Sequence, residues 1–553
     1  MLIYLLAYGL VISGPFATAA EIQKRASEPR LSSIHPYSGT VGKTYRAVIR
    51  GKQLKSANDL LVSGDRVSGR VLGDSNPDTD SVEVEITSEP GAVPGPRKLR
   101  LLTAAGVTNE IEFLIAGDTV LVESEVGDPV RSLPLVVSGA ISQRGEADSY
   151  WVEVAAGQTL TVQTKSGHPS FDPLLRILKR APSWLDPNHL EQVAFNDEPL
   201  FFPGLATDAH LVHRFSEAGR YCIRVESASG QGSADSVYEL RISEGASAPP
   251  ALHPKLKQNS WDERQFTRGI SSDRQQVLAR RGALPEEVKP FETYRAARLG
   301  SDEIPSVMRL PGIVEGRITN PAEAHRIKIR IEQAENIAIE IQTPEATMPR
   351  FNPVILLFEP GGAEVATNVY TKRNNNGLYM MKMIQPKIAV PLHAPGEYEM
   401  EIRDITTDCA GQDFRYRVLV RRQIPHVGKI DITEDQINLR PGATREVNIT
   451  IEREEGFTGL VAFDVEGAPA GVTIMPAAPK PIDKPPLPNG GKLERYTPIV
   501  QNSALIFMAA PDANPSSSAS TIRIIARPVL NGKLGEPILV KELPLMIVPE
   551  KAT

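Results

Sequence analysis

The chain has 553 residues, with 61 basic and 67 acidic side chains and a formal net charge of −6. That near balance gives no electrostatic footing for nucleic acid or an anionic membrane surface as a partner. The length asks for three to five compact units at roughly 150 residues each, and 42 glycines and 46 prolines spread along the chain suit many short strands joined by turns. The expected fold class is all-β, a tandem array.

The first residues, MLIYLLAYGLVISGPFATAAE, combine an apolar stretch from Leu2 to Ile12 with an A-x-A pattern at Ala17 to Ala19. Residues 1–20 therefore read as a signal peptide. Gly14 and Pro15 interrupt the run well short of the roughly 20 apolar residues of a membrane-spanning helix, so no transmembrane anchor is expected after its removal. The expected location is exported: periplasm, cell surface or beyond. Cys222 and Cys409 could pair in such a compartment, but a buried Cys222 on a strand and a loop Cys409 form the simpler reading.

Residues 29–117 pair turn glycines (Gly39, Gly42, Gly51) with strand residues Tyr45, Val48, Ile49, Leu99, Leu101 and Leu102. On Ile34, Pro36, Ser38, Gly39, Gly42, Gly51, Gly106, Asn109 and Phe113 this segment resembles an IPT/TIG domain, which implies an immunoglobulin-like sandwich. In residues 118–245, Tyr150, Val152 and Val154 alternate, a turn follows at Ala156 and Gly157, and Leu160 and Val162 alternate again, a hairpin written in period 2. On Gly139, Asp148, Tyr150, Gly157, Asp172, Leu174, Asp197, Gly219, Tyr221 and Tyr238 the segment resembles the bacterial pre-peptidase C-terminal (PPC) domain, which implies a jelly-roll-like sandwich.

The run FDPLLRIL at Phe171 returns as FNPVILLF at Phe351. Gly139 matches Gly316, Ile141 matches Ile318, Phe171 matches Phe351, Gly219 matches Gly396, Tyr221 matches Tyr398 and Tyr238 matches Tyr416. The offsets are 177, 177, 180, 177, 177 and 178, so residues 305–426 are expected to be a second PPC-like sandwich. Between the copies, residues 246–304 form a charged linker. Ser260 with Glu263 and Ser272 with Gln275 have capping-box spacing, and Gly282 suits a helix end, so short helices are expected there. In residues 427–550, Val447, Ile449 and Ile451 alternate, as do Ile522 and Ile524, which predicts a C-terminal immunoglobulin-like sandwich.

The chain carries no HExxH, G-x-S-x-G, phosphate-loop or paired CxxC signature. Ser75 in GDSN, with Asp186 and His189 in DPNH, mimics the blocks of an esterase but places them in two different β units. His210 and His213 sit three apart on an expected strand and point to opposite faces. Trp151 and Trp184 lack an aromatic stripe that would make a binding platform, and Tyr150, Tyr221 and Tyr398 read as core. Some PPC domains bind calcium, so the resemblance implies oxygen donors at Asp148, Asp172, Asn196, Asp197 and Asp208. In the second copy His325 and Asn352 replace Asp148 and Asp172, and Asn374 to Asn376 replace the acidic loop, so a calcium site there is not expected.

The expectation is a non-catalytic exported protein of four sandwich modules with a short helical linker. It would serve adhesion or scaffolding, or act as accessory subunit to a secreted or envelope enzyme. Its partner would be an exported or envelope protein or an extracellular polymer. A carbohydrate- or collagen-binding role and an unrecognised hydrolase are the alternatives.

Overall fold

The computed structural model describes residues 28–73, 80–130, 132–181, 186, 188–196, 208–246, 260–261, 292–344, 351–373, 380–385, 387–405, 410, 414–476, 499–530 and 532–549. Over these residues the chain is a tandem array of β-sandwiches. Its one described helical element is a single 3-10 turn, Glu123–Glu125, and no described helix is long and apolar enough to cross a membrane. The signal-peptide reading, Ser75, Trp184, Asp197, Asn374 to Asn376 and Cys409 fall outside the described residues.

The first sandwich packs the strands Arg30–His35, Thr44–Lys52, Ser81–Ser88 and Val67–Val71 against a sheet of Ser38–Thr40, Ile111–Ala116, Gly95–Thr103 and Asp59–Val62. Alternation puts Ile49, Val84, Ile86, Leu99, Leu101 and Phe113 inside. The last sandwich pairs His426–Ile432, Thr444–Glu454, Ile499–Ala509 and Val472–Pro476 in one sheet. Its other sheet holds Ile437–Leu439, Ile538–Ile547, Ser520–Leu530 and Leu460–Glu466.

The two middle sandwiches share one topology. In the first, Val120–Val122, Leu135–Ala140, Val237–Glu244, Thr159–Ser166 and His210–Arg214 follow one another across a sheet. In the second, the corresponding order is Glu292–Arg295, Gly312–Arg317, Arg415–Arg422, Glu335–Pro344 and Lys387–Leu392. The facing sheets run Ala147–Val154, Gly219–Ser227, Pro173–Arg180, Leu190–Asn196 and, likewise, Ala324–Ile331, Gly396–Asp404, Pro353–Phe358, Glu364–Thr367. In both, the edge strand that opens the first sheet runs parallel to its neighbour. The Asx-Pro run enters a core strand in each copy, with Phe171 and Phe351 buried. Tyr221 and Tyr398 each donate their hydroxyl to a carbonyl four residues upstream.

In the connecting segment, Ser260–Trp261 is extended and adds in parallel beside Thr343–Pro344. The helices expected from Ser272 to Gly282 lie outside the described residues.

Neighbouring sandwiches are tied by polar side chains. Between the first two, Ser138 Oγ accepts the Tyr37 N–H at 2.7 Å, Asp235 accepts both Ser32 and Ser33 hydroxyls, and Thr40 Oγ1 accepts the Val120 N–H. Between the last two, a buried ion network takes over.

Candidate functional site

Two clusters of titratable groups occupy matching places in the two copies. Gly139 stands opposite Tyr238 in the ladder, and Gly316 stands opposite Tyr416. A Cβ on Gly139 would lie 2.5 Å from the Tyr238 hydroxyl, and one on Gly316 would lie 2.3 Å from that of Tyr416. The glycines thus make room for a phenol lying over the sheet.

In the first copy the Tyr238 hydroxyl donates to Asp148 Oδ2 at 2.5 Å, which leaves its oxygen to accept from Tyr150 at 2.8 Å. Behind Asp148 stands Glu123, on the connector from the first sandwich, whose Oε2 accepts the Ala140 N–H at 3.0 Å. The two carboxyls lie within hydrogen-bond reach, where both cannot ionise together. Burial, with Asp148 and Glu146 adding like charge, pushes Glu123 up to about 7. Burial also raises Asp148 and both phenols.

In the second copy His325 occupies the place of Asp148. Its Nε2 donates to Glu323 Oε1 at 2.8 Å, so its Nδ1 accepts from the Tyr416 hydroxyl at 2.7 Å. Glu323 Oε2 collects Thr319 N–H, Thr319 hydroxyl and Asn320 N–H, each at 2.8 Å. Burial alone would raise Glu323, but these bonds and the one from His325 outweigh it and hold the carboxyl down at about 2. Tyr, His and Glu in a row have the composition of a proton relay. Tyr416 is only 1% exposed, however, so the row ends inside the sandwich.

Asp197 falls outside the described residues, and the four described first-copy oxygen donors lie in two groups. Asp148 is spent on Tyr238. Asp172, Asn196 and Asp208 gather at another corner: Asp208 Oδ1 accepts the Ser166 N–H, Asn196 Oδ1 accepts the His210 N–H, and the Asp172 charge reaches Asp208. Burial raises Asp208, which disfavours the ionised form that a hard cation wants. Among the described donors, Asp148 is engaged by Tyr238, which leaves Asp172, Asn196 and Asp208 as the oxygen donors at the other corner.

Among the described residues, one group of three His, Cys, Asp or Glu side chains brings its donor atoms within 4.8 Å of one another: His426, Glu454 and Glu455. It lies where the last two sandwiches join and already holds cations. Lys387 Nζ bridges Glu454 at 2.7 Å and Glu455 at 2.5 Å, and Arg421 makes a two-armed pair with Glu455 at 2.6 and 2.8 Å while reaching Glu340 at 2.5 Å. Glu455 takes φ 53°, an uncommon left-handed conformation for such a residue, and also accepts the Ile424 N–H. Burial drives His426 down to about 4, against the pull of Glu455, and the cations hold Glu455 at about 2 despite its burial. The cluster is an ion-paired joint. Neither residue class nor spacing announced it, since Glu340, Arg421 and Glu455 are far apart along the chain.

On the second copy's outer sheet face, Arg326, Lys328, Phe358, Pro360, Glu397 and Glu399 line an open groove of about 460 Å³. Its charges pair across the strands, as in Arg326 with Glu399 at 2.7 Å and Lys328 with Glu397 at 3.5 Å. On the matching face of the first copy, half-buried Trp151 lies under the Arg180 and Arg220 guanidinium groups at 5.9 and 5.0 Å.

Asp186 and His189 close a turn, with the His189 N–H donating to the Asp186 carbonyl and the Asp186 carboxylate accepting the Asn188 N–H. His210 is buried, while His213 packs edge-on against Phe215 at 4.7 Å. Cys222 is buried within the strand Gly219–Ser227.

No family model matches the chain, and no curated protein matches it. Among solved structures, domains 4 and 5 of the S-layer protein SbsC are 12% identical, with a TM-score of 0.15, over 35% of this chain and 90% of that one. SGBP-B from a xyloglucan utilization locus in Bacteroides uniformis is 10% identical, with a TM-score of 0.14, over 39% of this chain and 73% of that one. The tandem CBM22 domains of Xyn10C from Paenibacillus barcinonensis are 8% identical, with a TM-score of 0.12, over 70% of this chain and 98% of that one. Scores this low support no conclusion about role.

Proposed function

We propose that this chain is a non-catalytic exported scaffold, built from an IPT/TIG-like, two PPC-like and an immunoglobulin-like module, that presents or steadies a partner outside the cytoplasm. The observation that carries this reading is where the buried polar chemistry sits. Arg421, Glu340, Lys387 and Glu455 join sandwich to sandwich, and so do Tyr37 with Ser138 and Ser33 with Asp235. Side chains held this way fix the relative placement of modules, which serves a scaffold. The Tyr, His and carboxyl rows serve the interiors of the two copies.

The partner is an exported or envelope protein for which this chain acts as accessory subunit. The test is capture of the exported and envelope fraction of the same cells on residues 21–553, with insoluble polysaccharide and collagen in parallel. Recovery of one stoichiometric protein supports the reading. Retention on a polymer with no protein recovered replaces it with a polymer-binding role, and turnover of a substrate by the purified chain removes it.

A further inference from the structure

The first and last sandwiches meet, although 331 residues separate two of their contacting side chains. Asn438 is wholly buried; its Oδ1 accepts the Val107 N–H at 2.9 Å and its Nδ2 donates to the Val107 carbonyl at 2.9 Å. Val107 lies in the short strand Gly106–Val107, which pairs with Gly95–Thr103 on its other side. The Asn438 amide therefore satisfies the backbone groups that an edge strand would leave open. Gly106 takes φ 125° at this point, and a Cβ there would lie 2.3 Å from Asn438 Oδ1, so the approach depends on glycine. Leu102 and Val107 of the first sandwich form an apolar cluster with Met546 and Val548 of the last, apart from either core. Nearby, Arg445 pairs with Glu28, both buried, and Gln436 Nε2 reaches the Pro29 carbonyl.

A satisfied amide, an apolar plug and a buried ion pair are what a specific interface contains. The covalent path between the halves runs elsewhere. Residues 28–246 lead to residues 292–549 through the segment that follows the second sandwich, whereas the docking residues belong to the sandwiches at the two ends of the chain. Ser260–Trp261 is already fixed beside Thr343–Pro344, so the free link is residues 247–259, which can reach on the order of 45 Å and does not by itself place Val107 against Asn438.

We propose that the Val107–Asn438 contact is a self-standing docking interface that holds residues 28–246 against residues 292–549 without a covalent link, and that it accepts the same half of a second copy of this chain by exchange. Exchange keeps every contact and changes only which chain supplies it. This inference does not depend on the function proposed above.

The test uses the full chain with a specific-protease recognition sequence inserted between Ala251 and Leu252, which leaves Ser260–Trp261 on the half it pairs with. After complete cutting, the two fragments are expected to elute together at the mass of the intact chain. When tagged and untagged cut proteins are mixed, tagged first halves should be recovered with untagged second halves. Asn438→Ala combined with Met546→Asp is expected to weaken association at least tenfold and to split the cut protein in two. Separation of the cut protein without any substitution, each part keeping its strand circular dichroism, overturns the proposal. So does continued co-elution of the cut double variant with unchanged circular dichroism, since the halves would then be held by another surface. The arm without substitutions decides the matter even where the variant fails to fold.

Discussion

In the first copy the phenol of Tyr238 meets a carboxyl, Asp148, backed by a second carboxyl, Glu123; in the second the phenol of Tyr416 meets an imidazole, His325, backed by Glu323. The two share a glycine in register beneath the ring, the same strand order, and a buried Phe at the start of the neighbouring core strand, while Tyr150, whose hydroxyl bonds that of Tyr238, has Ile327 at its place in the second copy. Position in the sandwich thus dictates that a hydroxyl must find an acceptor, because a buried phenol left unpaired is expensive. It does not dictate whether that acceptor is a carboxyl or an imidazole. A carboxylate and a neutral imidazole both accept an O–H, so duplicates of one fold can diverge here without losing the bond. What diverges is their response to protons.

The largest expected effect tests the shared part of the comparison. Gly139→Ala and Gly316→Ala would each thrust a methyl into a buried, hydrogen-bonded tyrosine ring, and overpacking of this kind costs about 2–3 kcal/mol. Hydrogen exchange read on Val237–Glu244 for one variant and Arg415–Arg422 for the other should show similar loss of protection. A loss confined to one copy would mean that the two tyrosines are not equivalent supports.

The next effect tests the divergent part. Glu123 is raised in the folded chain from an ordinary 4.5 to about 7. Its contribution is therefore present below 4.5 and is lost as pH rises through 7. Glu123→Gln should raise the stability of the first copy at pH 8 by about 1–2 kcal/mol, a figure reduced because the carboxyl is half-exposed. Glu323 is held near 2, so its contribution is present above 4.5 and is lost as pH falls toward 2. Glu323→Gln should lower the stability of the second copy at pH 7 by about 1–2 kcal/mol. Denaturant melts from pH 3 to pH 9, with local exchange assigning each change to a copy, would expose a shared sign if the contrast is false. Asp148→His sharpens the same contrast: an imidazole facing Glu123 should bring that carboxyl below its ordinary value and reverse the pH slope of the first copy.

Much of the architecture was legible because it is written in local pattern. Tyr150, Val152 and Val154 alternate and are buried on one side, and a near-constant offset between matched residues betrayed the duplication. The joints were not legible. Asn438 sits in an ordinary strand sequence, INL, and its partner Val107 lies in a two-residue strand, so no period or spacing links them. Glu455 reads as one more acidic residue before a turn glycine, and only tertiary structure reveals it receiving Lys387 and Arg421. Asp148 shows why donor type alone misleads. A carboxylate at a strand start suits a cation on paper, but Tyr238, 90 residues on, claims it.

The smallest expected effect asks whether the first copy keeps a cation site that the second has lost. With Asp148 turned to Tyr238, the remaining oxygens at Asp172, Asn196 and Asp208 make a weak set, and module-type calcium sites bind at about 10⁻⁴–10⁻³ M. At about 5 mM calcium, linkage then limits the stabilisation to roughly 1–2 kcal/mol. It should appear only in exchange of the first copy, whose strand Pro173–Arg180 follows Asp172, and should vanish in Asp172→Ala. The second copy supplies the internal control because a neutral amide, Asn352, stands where the first copy has the Asp172 carboxylate. An equal rise in both copies would point to general ionic screening of surface charge rather than ligation. No rise in either would mean that Asp172, Asn196 and Asp208 do not hold a cation in the first copy.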